Sequence, residues 1–353
     1  PDNLTGKGRW GPSPGFQSSE TMTMWTMPPE WQPHTATWMG FPTSAYNTAG
    51  VSDDDVFDVW SLVANTISEH EPVNMLCHPG RLTVARKKLA SAVTLHVFEI
   101  DDAWMRDSGP TFVTGEQGLG GVDWIFNGWG DHTAFDWGQD AKVASHIIEL
   151  TGAKRLGSDL VNEGGGIHVN GDGDVLLTRT VQLDPGRNPS ATEDTVETEV
   201  HQKLGTERAI WFDRGLWRDY QDHGTRGHVD MIATFVPDGS VLLHRQFDTN
   251  HPDNALWQDH CETLEAAGFI VRTLPAPRVV KDNNGWVDYS YVNHYVGNGF
   301  VLLPAFNERT DDYALEILKD LYPDRCVSNL DARTLFAMGG GIHCVTQQEP
   351  AAR

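Results

Sequence analysis

Apolar residues recur at helical spacing in five stretches, residues 51–69, 140–151, 193–204, 254–267 and 311–321, each pairing an apolar face with a polar one. The first opens on Ser52 and Asp55, whose three-residue separation fits a capping box. Between the helices lie short apolar or alternating runs that predict strands: 73–77, 93–99, 111–113, 166–169, 175–178, 209–211, 231–235, 241–244, 270–274, 289–296, 300–304 and 326–329. Two or more strands per helix, in steady alternation, predict an α/β protein assembled from repeated units, although no repeat is legible in the residues themselves.

Residues 1–20 break this pattern. They are rich in Gly, Pro and Ser and predict a flexible N-terminal arm ahead of residues 21–353, a length that allows two domains or one large one. A chain of 353 residues buries roughly three quarters of the surface its unfolded form exposes, enough for a large core.

Charge narrows the partners. With 26 basic against 49 acidic residues the chain carries a formal charge of −23, which disfavours nucleic acid and anionic lipid and steers small cations inward. The four cysteines, Cys77, Cys261, Cys326 and Cys344, show no C-x-x-C spacing, so neither a zinc site nor a disulfide framework is expected. No basic-then-apolar leader and no spanning apolar run are visible, and a soluble cytoplasmic protein is the expectation.

The densest candidate chemistry lies in Met338-Gly339-Gly340-Gly341-Ile342-His343-Cys344, where three glycines deliver a cysteine directly after a histidine. Glycine allows close backbone approach, and a neighbouring imidazole can favour the thiolate, so Cys344 reads as a nucleophile on a loop. Three further loops carry polar groups: Trp104 to Pro110 with Asp107, Asn162 to His168 with Glu163 ahead of three glycines, and Thr225 to Asp230 with His228 and Asp230 entering a strand on one face. A thiol, a histidine and three carboxylates suit a planar guanidinium. Asp107 and Asp230 would hold its N–H groups, sulfur would attack its carbon, and His228, held by Glu163, would protonate the departing nitrogen and later activate water.

These segments, with Met27 to Met39, Phe126 to Gly130, Arg187 to Pro189 and Ser290 to Asn293, occur from about residue 25 to 348 in an order that resembles the agmatine deiminase family of guanidine-modifying enzymes. The resemblance implies a single catalytic domain over 21–353, a five-module α/β propeller of ββαβ-type repeats around a central pocket. It also implies no cofactor, and hydrolysis of agmatine to N-carbamoylputrescine and ammonia through a cysteine thiouronium. The family's catalytic residues fall on Cys344, His228, Asp230, Asp107 and Glu163, and Trp104 would cover the bound cation by a cation–π contact.

The chain departs from the family pattern at Arg226, Met231 and Asp131. A cation at Arg226 beside the pocket would repel a primary amine and attract a carboxylate, making guanidino acids or arginine the competing substrates; paired with Asp219 or Asp222, it would do neither. A metal-dependent hydrolase using His223, His228 and Asp230, an amidinotransferase, and a non-catalytic guanidine-binding protein are the other readings, and homo-oligomerisation is left open.

Overall fold

A computed structural model describes residues 25–352 except 47, 49, 132–135, 222–223 and 283–284. The expected arm at 1–20, and with it Asp222 and His223, lies outside the described residues.

The described residues form five sheets of three or four strands and a two-stranded ribbon, Lys281–Asp282 with Gly285–Trp286. In four of the five an antiparallel pair is followed by a helix that crosses over to a parallel third strand, the handed unit that packs its helix on the sheet face. Thr111–Gly115 pairs antiparallel with Gly118–Ile125, which runs through helix Val143–Thr151 to the parallel Lys154–Val161. His168–Val169, Asp174–Thr178 and Arg208–Phe212 repeat the plan around helix Glu193–Leu204. Ala233–Phe235, Val241–Arg245 and Val271–Pro275 do so around Leu256–Ala266, and Tyr295–Gly297, Phe300–Ala305 and Cys326–Asp331 around Arg309–Leu321. The remaining sheet joins the chain's two ends: Gln347–Pro350 pairs antiparallel with His34–Phe41, which pairs parallel with Val73–Cys77, itself parallel to Val93–Val97.

Helix Asp53–Ser68 shows how local sequence sets these units. Ser52 caps it, the reciprocal Ser52–Asp55 box is formed, and Val56, Trp60, Val63 and Ile67 fall on one buried face. Trp60 is fully buried against Trp104 at 5.6 Å in an edge-on contact, a side chain worth about 2–3 kcal/mol in area removed from water. Among the described residues no helix is long and apolar enough to cross a membrane.

Two expected strands are corrected. The run at 231–235 is extended only from Ala233; Val229–Met231 forms a 3-10 turn closed by Ile232 N–H on the Val229 carbonyl at 2.9 Å, so His228 and Asp230 do not alternate along a strand. Of 289–296, Tyr295 and Val296 open the strand Tyr295–Gly297, because side chains before them bond elsewhere: Ser290 Oγ to the Met231 carbonyl at 2.9 Å and Tyr291 OH to Asp311 at 2.7 Å. Strands His34–Phe41, Gly118–Ile125, Lys154–Val161 and Gln347–Pro350 were not expected. Gly118–Ile125 hides behind its glycines: a Cβ at Gly120 would lie 2.9 Å from the Trp25 ring, and one at Gly121 2.6 Å from Ile148.

Candidate active site

Each of the five sheets is entered by a short segment that carries a polar side chain. Asp107 precedes Thr111–Gly115, Glu163 precedes His168–Val169, His228 and Asp230 precede Ala233–Phe235, Asn293 precedes Tyr295–Gly297, and Cys344 precedes Gln347–Pro350.

Helix Arg333–Met338 stops at Gly339, whose φ of +119° only glycine adopts readily, and the chain then turns through Cys344 into its last strand. A Cβ at Gly340 would lie 2.7 Å from the Trp104 ring and 3.1 Å from Cys344 Sγ, so indole and thiol flank this glycine. Cys344 Sγ accepts from Asn293 Nδ2 at 3.2 Å and lies 3.6 Å from Asp230 Oδ2. Asn293 also accepts the His343 N–H at 3.0 Å and donates to the Asp230 carbonyl at 3.3 Å, binding the thiol's loop to the Asp230 turn.

Asp230 Oδ2 accepts from His343 Nδ1 at 2.8 Å, and His343 Nε2 reaches Glu30 Oε1 at 2.7 Å, with Arg106 3.5 Å from the same oxygen. Asp230 Oδ1 is buried without a hydrogen-bond partner. Asp107 accepts from Gly165 N–H at 3.0 Å and from Trp129 Nε1 at 2.9 Å, leaving His228 Nδ1 3.7 Å from its Oδ1. The other imidazole nitrogen, Nε2, lies 3.2 Å from Glu163 Oε2, and Arg187 Nε grips Glu163 at 2.9 and 3.1 Å. A Cβ at Gly165 would come 2.5 Å from His228 Nδ1 and 2.8 Å from Asp107 Oδ1, which is why this turn is glycine.

The charges follow from these contacts. Burial works against the His228 imidazolium, but Asp107, Glu163 and Asp230 outweigh it and raise its pKa to about 9. Burial likewise opposes ionisation of Glu163, yet Arg187 and His228 bring it down to about 2. Asp230 is pushed up by burial and pulled further down by His343, His228 and Arg106, so it stays ionised. Burial and the carboxylates of Asp230 and Asp107 push the Cys344 thiol well above its usual range. A guanidinium seated against those carboxylates would cancel the last two effects.

Cys344, His228, Asp230, Asp107 and Glu163 thus converge, with Trp104 beside the thiol. Arg226 sits apart. Its φ is +72°, its N–H donates to the Asp219 carbonyl at 2.9 Å, and its side chain lines an open cavity of about 500 Å³ with Arg179, Asp184 and Tyr220, to which none of the five contributes. Among the described residues its guanidinium makes no ion pair with Asp219 or any other acid. Glu30, Trp129, Arg187 and Asn293 received no role from sequence, although each lies in a motif quoted above; His343, read there as the imidazole that favours the thiolate, instead turns its ring nitrogens to Asp230 and Glu30. Nothing local marks the other four; their partners are distant in the chain, as with Glu30 and His343, 313 residues apart. Among the described residues no group of three or more His, Cys, Asp or Glu side chains is arranged to hold a metal ion.

The family model described as Porphyromonas-type peptidyl-arginine deiminase matches residues 26–350. A Streptomyces coelicolor protein named "Putative agmatine deiminase" is 50% identical over 92% of this chain and 98% of its own length. The solved agmatine deiminase of Enterococcus faecalis is 30% identical, with a TM-score of 0.87 over 94% of this chain and 97% of its own. A C. jejuni agmatine deiminase with substrate bound, 21% identical, shares the fold with a TM-score of 0.86 over 97% of this chain and 100% of that one.

Proposed function

The chain belongs to the agmatine deiminase family, within the Porphyromonas-type peptidyl-arginine deiminases, and we propose that it hydrolyses agmatine to N-carbamoylputrescine and ammonia through a covalent intermediate on Cys344. The observation that carries the mechanism is the thiol at 3.6 Å from one aspartate, in a site where a second aspartate and Glu163 flank a histidine raised to about 9.

Asp107 and Asp230 hold the N–H groups of the guanidinium, Asp230 through its unpartnered Oδ1. That cation offsets the carboxylate charge at the thiol, so Cys344 gives up its proton to solvent when substrate is seated. Sulfur adds to the central carbon. The His228 imidazolium gives its proton to one terminal nitrogen, the C–N bond breaks, ammonia leaves, and an S-alkylthiouronium remains. Neutral His228 then takes a proton from water, the hydroxyl adds to the same carbon, the C–S bond breaks, and the hydroxyl proton passes to the departing sulfur, which releases the neutral ureido product and restores the Cys344 thiol. Trp104, flanking the thiol, covers the cation's face. No step needs a cofactor.

The connectivity shared by four of the five larger sheets, and the entry of a site residue shortly before each of the five, support an arrangement of five blades around one pocket within a single catalytic domain spanning 21–353. Cys344→Ala tests the chemistry: it should fold normally and release no ammonia, while mass spectrometry of acid-quenched wild type turning over agmatine should find the adduct on Cys344. An active Cys344→Ala protein overturns the mechanism.

A further inference from the structure

A second carboxylate group lies behind the His228 turn and has no place in the chemistry above. Asp219 sits in the 3-10 turn Trp217–Tyr220, and its carbonyl accepts the N–H of Arg226, two residues before His228. Gly224 packs directly on this turn: a Cβ there would strike the Asp219 backbone. Asp288 lies two residues before Ser290, whose hydroxyl is bonded to the carbonyl of Met231, the neighbour of Asp230. Both acids are therefore tied to the segment that carries His228 and Asp230.

Both are also buried and unsatisfied. Asp219 is 5% and Asp288 6% exposed, and Asp219 Oδ2 and Asp288 Oδ1 have no hydrogen-bond partner. Arg218 offsets part of the burial at Asp288, but its guanidinium is engaged by Asp282 at 3.0 Å and the Trp286 carbonyl at 3.1 Å. Asp253 adds a further carboxylate, itself accepting the Trp217 N–H at 2.7 Å and lying 3.5 Å from His251. Burial raises both acids, Asp219 well above the usual range and Asp288 to about 6, and each is in electrostatic reach of the other; Asp219 also feels His228 and Asp230. At such depth an unpaired acid is stabilised by its own proton or by a cation that arrives from outside and displaces it.

We propose that Asp219 and Asp288 bind the terminal ammonium of the substrate and so restrict this enzyme to guanidines that carry a second cation. This rests on the deiminase reading above and extends it from the guanidinium to the other end of the molecule. An ammonium, compact and with three N–H donors, suits two carboxylates with one free oxygen each, whereas the planar guanidinium suits the Asp107–Asp230 pair. A carboxylate tail, as in a guanidino acid, is rejected by the same two residues.

Calorimetric titration of the Cys344→Ala protein separates this from turnover. Agmatine should bind at least about tenfold more tightly than butylguanidine, which has the same guanidinium and chain without the ammonium, and 4-guanidinobutanoate should bind least. In the same background Asp219→Asn and Asp288→Asn should each weaken agmatine by about tenfold and leave butylguanidine unchanged. The unchanged butylguanidine affinity certifies that the variants are folded. Equal affinity of the parent for agmatine and butylguanidine overturns the proposal, and so does an equal loss for both ligands in the variants, the result of a proton-sharing pair that only supports the loop. Absence of ammonia release from agmatine by wild type, with the affinity gap intact, would instead overturn the deiminase reading alone.

Discussion

The carboxylates around His228 and those around Asp219 are alike in burial and sign, yet the protein treats them differently. Glu163 is gripped by Arg187 and His228, Asp107 takes hydrogen bonds from Gly165 and Trp129, and one oxygen of Asp230 is fixed by His343. Asp219 and Asp288 each keep a buried oxygen without a partner, as Asp230 does at Oδ1, but among the described residues no side-chain donor fixes their other oxygens as His343 fixes Asp230 Oδ2. Fixed donors at the first set hold its oxygens in place before a ligand arrives, which is what a reacting centre requires. The second set is left in electrostatic debt, and binding relieves it. Preorganisation marks where bonds change; an unmet charge marks where the substrate is recognised.

Substitutions at the first set should therefore act on the reacting group whatever the tail. Asp230→Asn or Asp107→Asn should lower kcat/KM by roughly 10³, and by the same factor for agmatine and butylguanidine, since each removes a charge-assisted contact to the guanidinium. A loss confined to agmatine would erase the contrast between the two sets. Proton supply comes next. His228 is raised to about 9, so its acid form is complete at neutral pH, and kcat/KM should fall about tenfold per pH unit above that value. Glu163→Gln removes one of the charges that raise it and should move this limb to lower pH in a pH–rate profile. A smaller effect belongs to the outer contacts. Glu30→Gln weakens the hold on His343 and through it on Asp230, and should reduce kcat by about tenfold with little change in KM, measured by steady-state ammonia release.

The smallest effect touches stability alone. Glu163 is lowered to about 2, so its pairing with Arg187 stabilises the fold above the ordinary glutamate range and is lost as pH falls from about 4.5 towards 2. Thermal melts of wild type should drop through that window, and Glu163→Gln should flatten the drop. His228 works in the opposite sense: its raised value stabilises the fold below about 6.5, and that contribution fades as pH climbs through 9.

Sequence reading reaches unevenly into this molecule. The five long helices were legible because each has an apolar face of its own, as Val56, Trp60, Val63 and Ile67 do on Asp53–Ser68. Lys154–Val161 was hidden because it is largely exposed and lacks a clean alternation, and Gly118–Ile125 because its glycines answer to Trp25 and Ile148 rather than to strand propensity. The repeat escaped because it lives in strand connectivity, which residues of different modules need not share. At the site, Cys344, Asp107, Glu163, His228 and Asp230 were named from glycine-rich or turn-forming loops. The reading of His228 and Asp230 as neighbours on a strand missed the 3-10 turn that carries them. Asp219 and Asp288 gave no signal, since an aspartate in a loop looks the same whether or not its oxygens find a partner.

Gln347–Pro350 pairs with His34–Phe41, so the sheet that anchors the nucleophile is sewn from the first and last described strands. During synthesis on a ribosome the four sheets made of consecutive strands can form from completed segments, but this one waits for Gln347–Pro350. Activity should consequently appear only once that strand has been made and has docked. Premature stops anywhere before Gln347 should leave a chain with most of its helices and no catalysis.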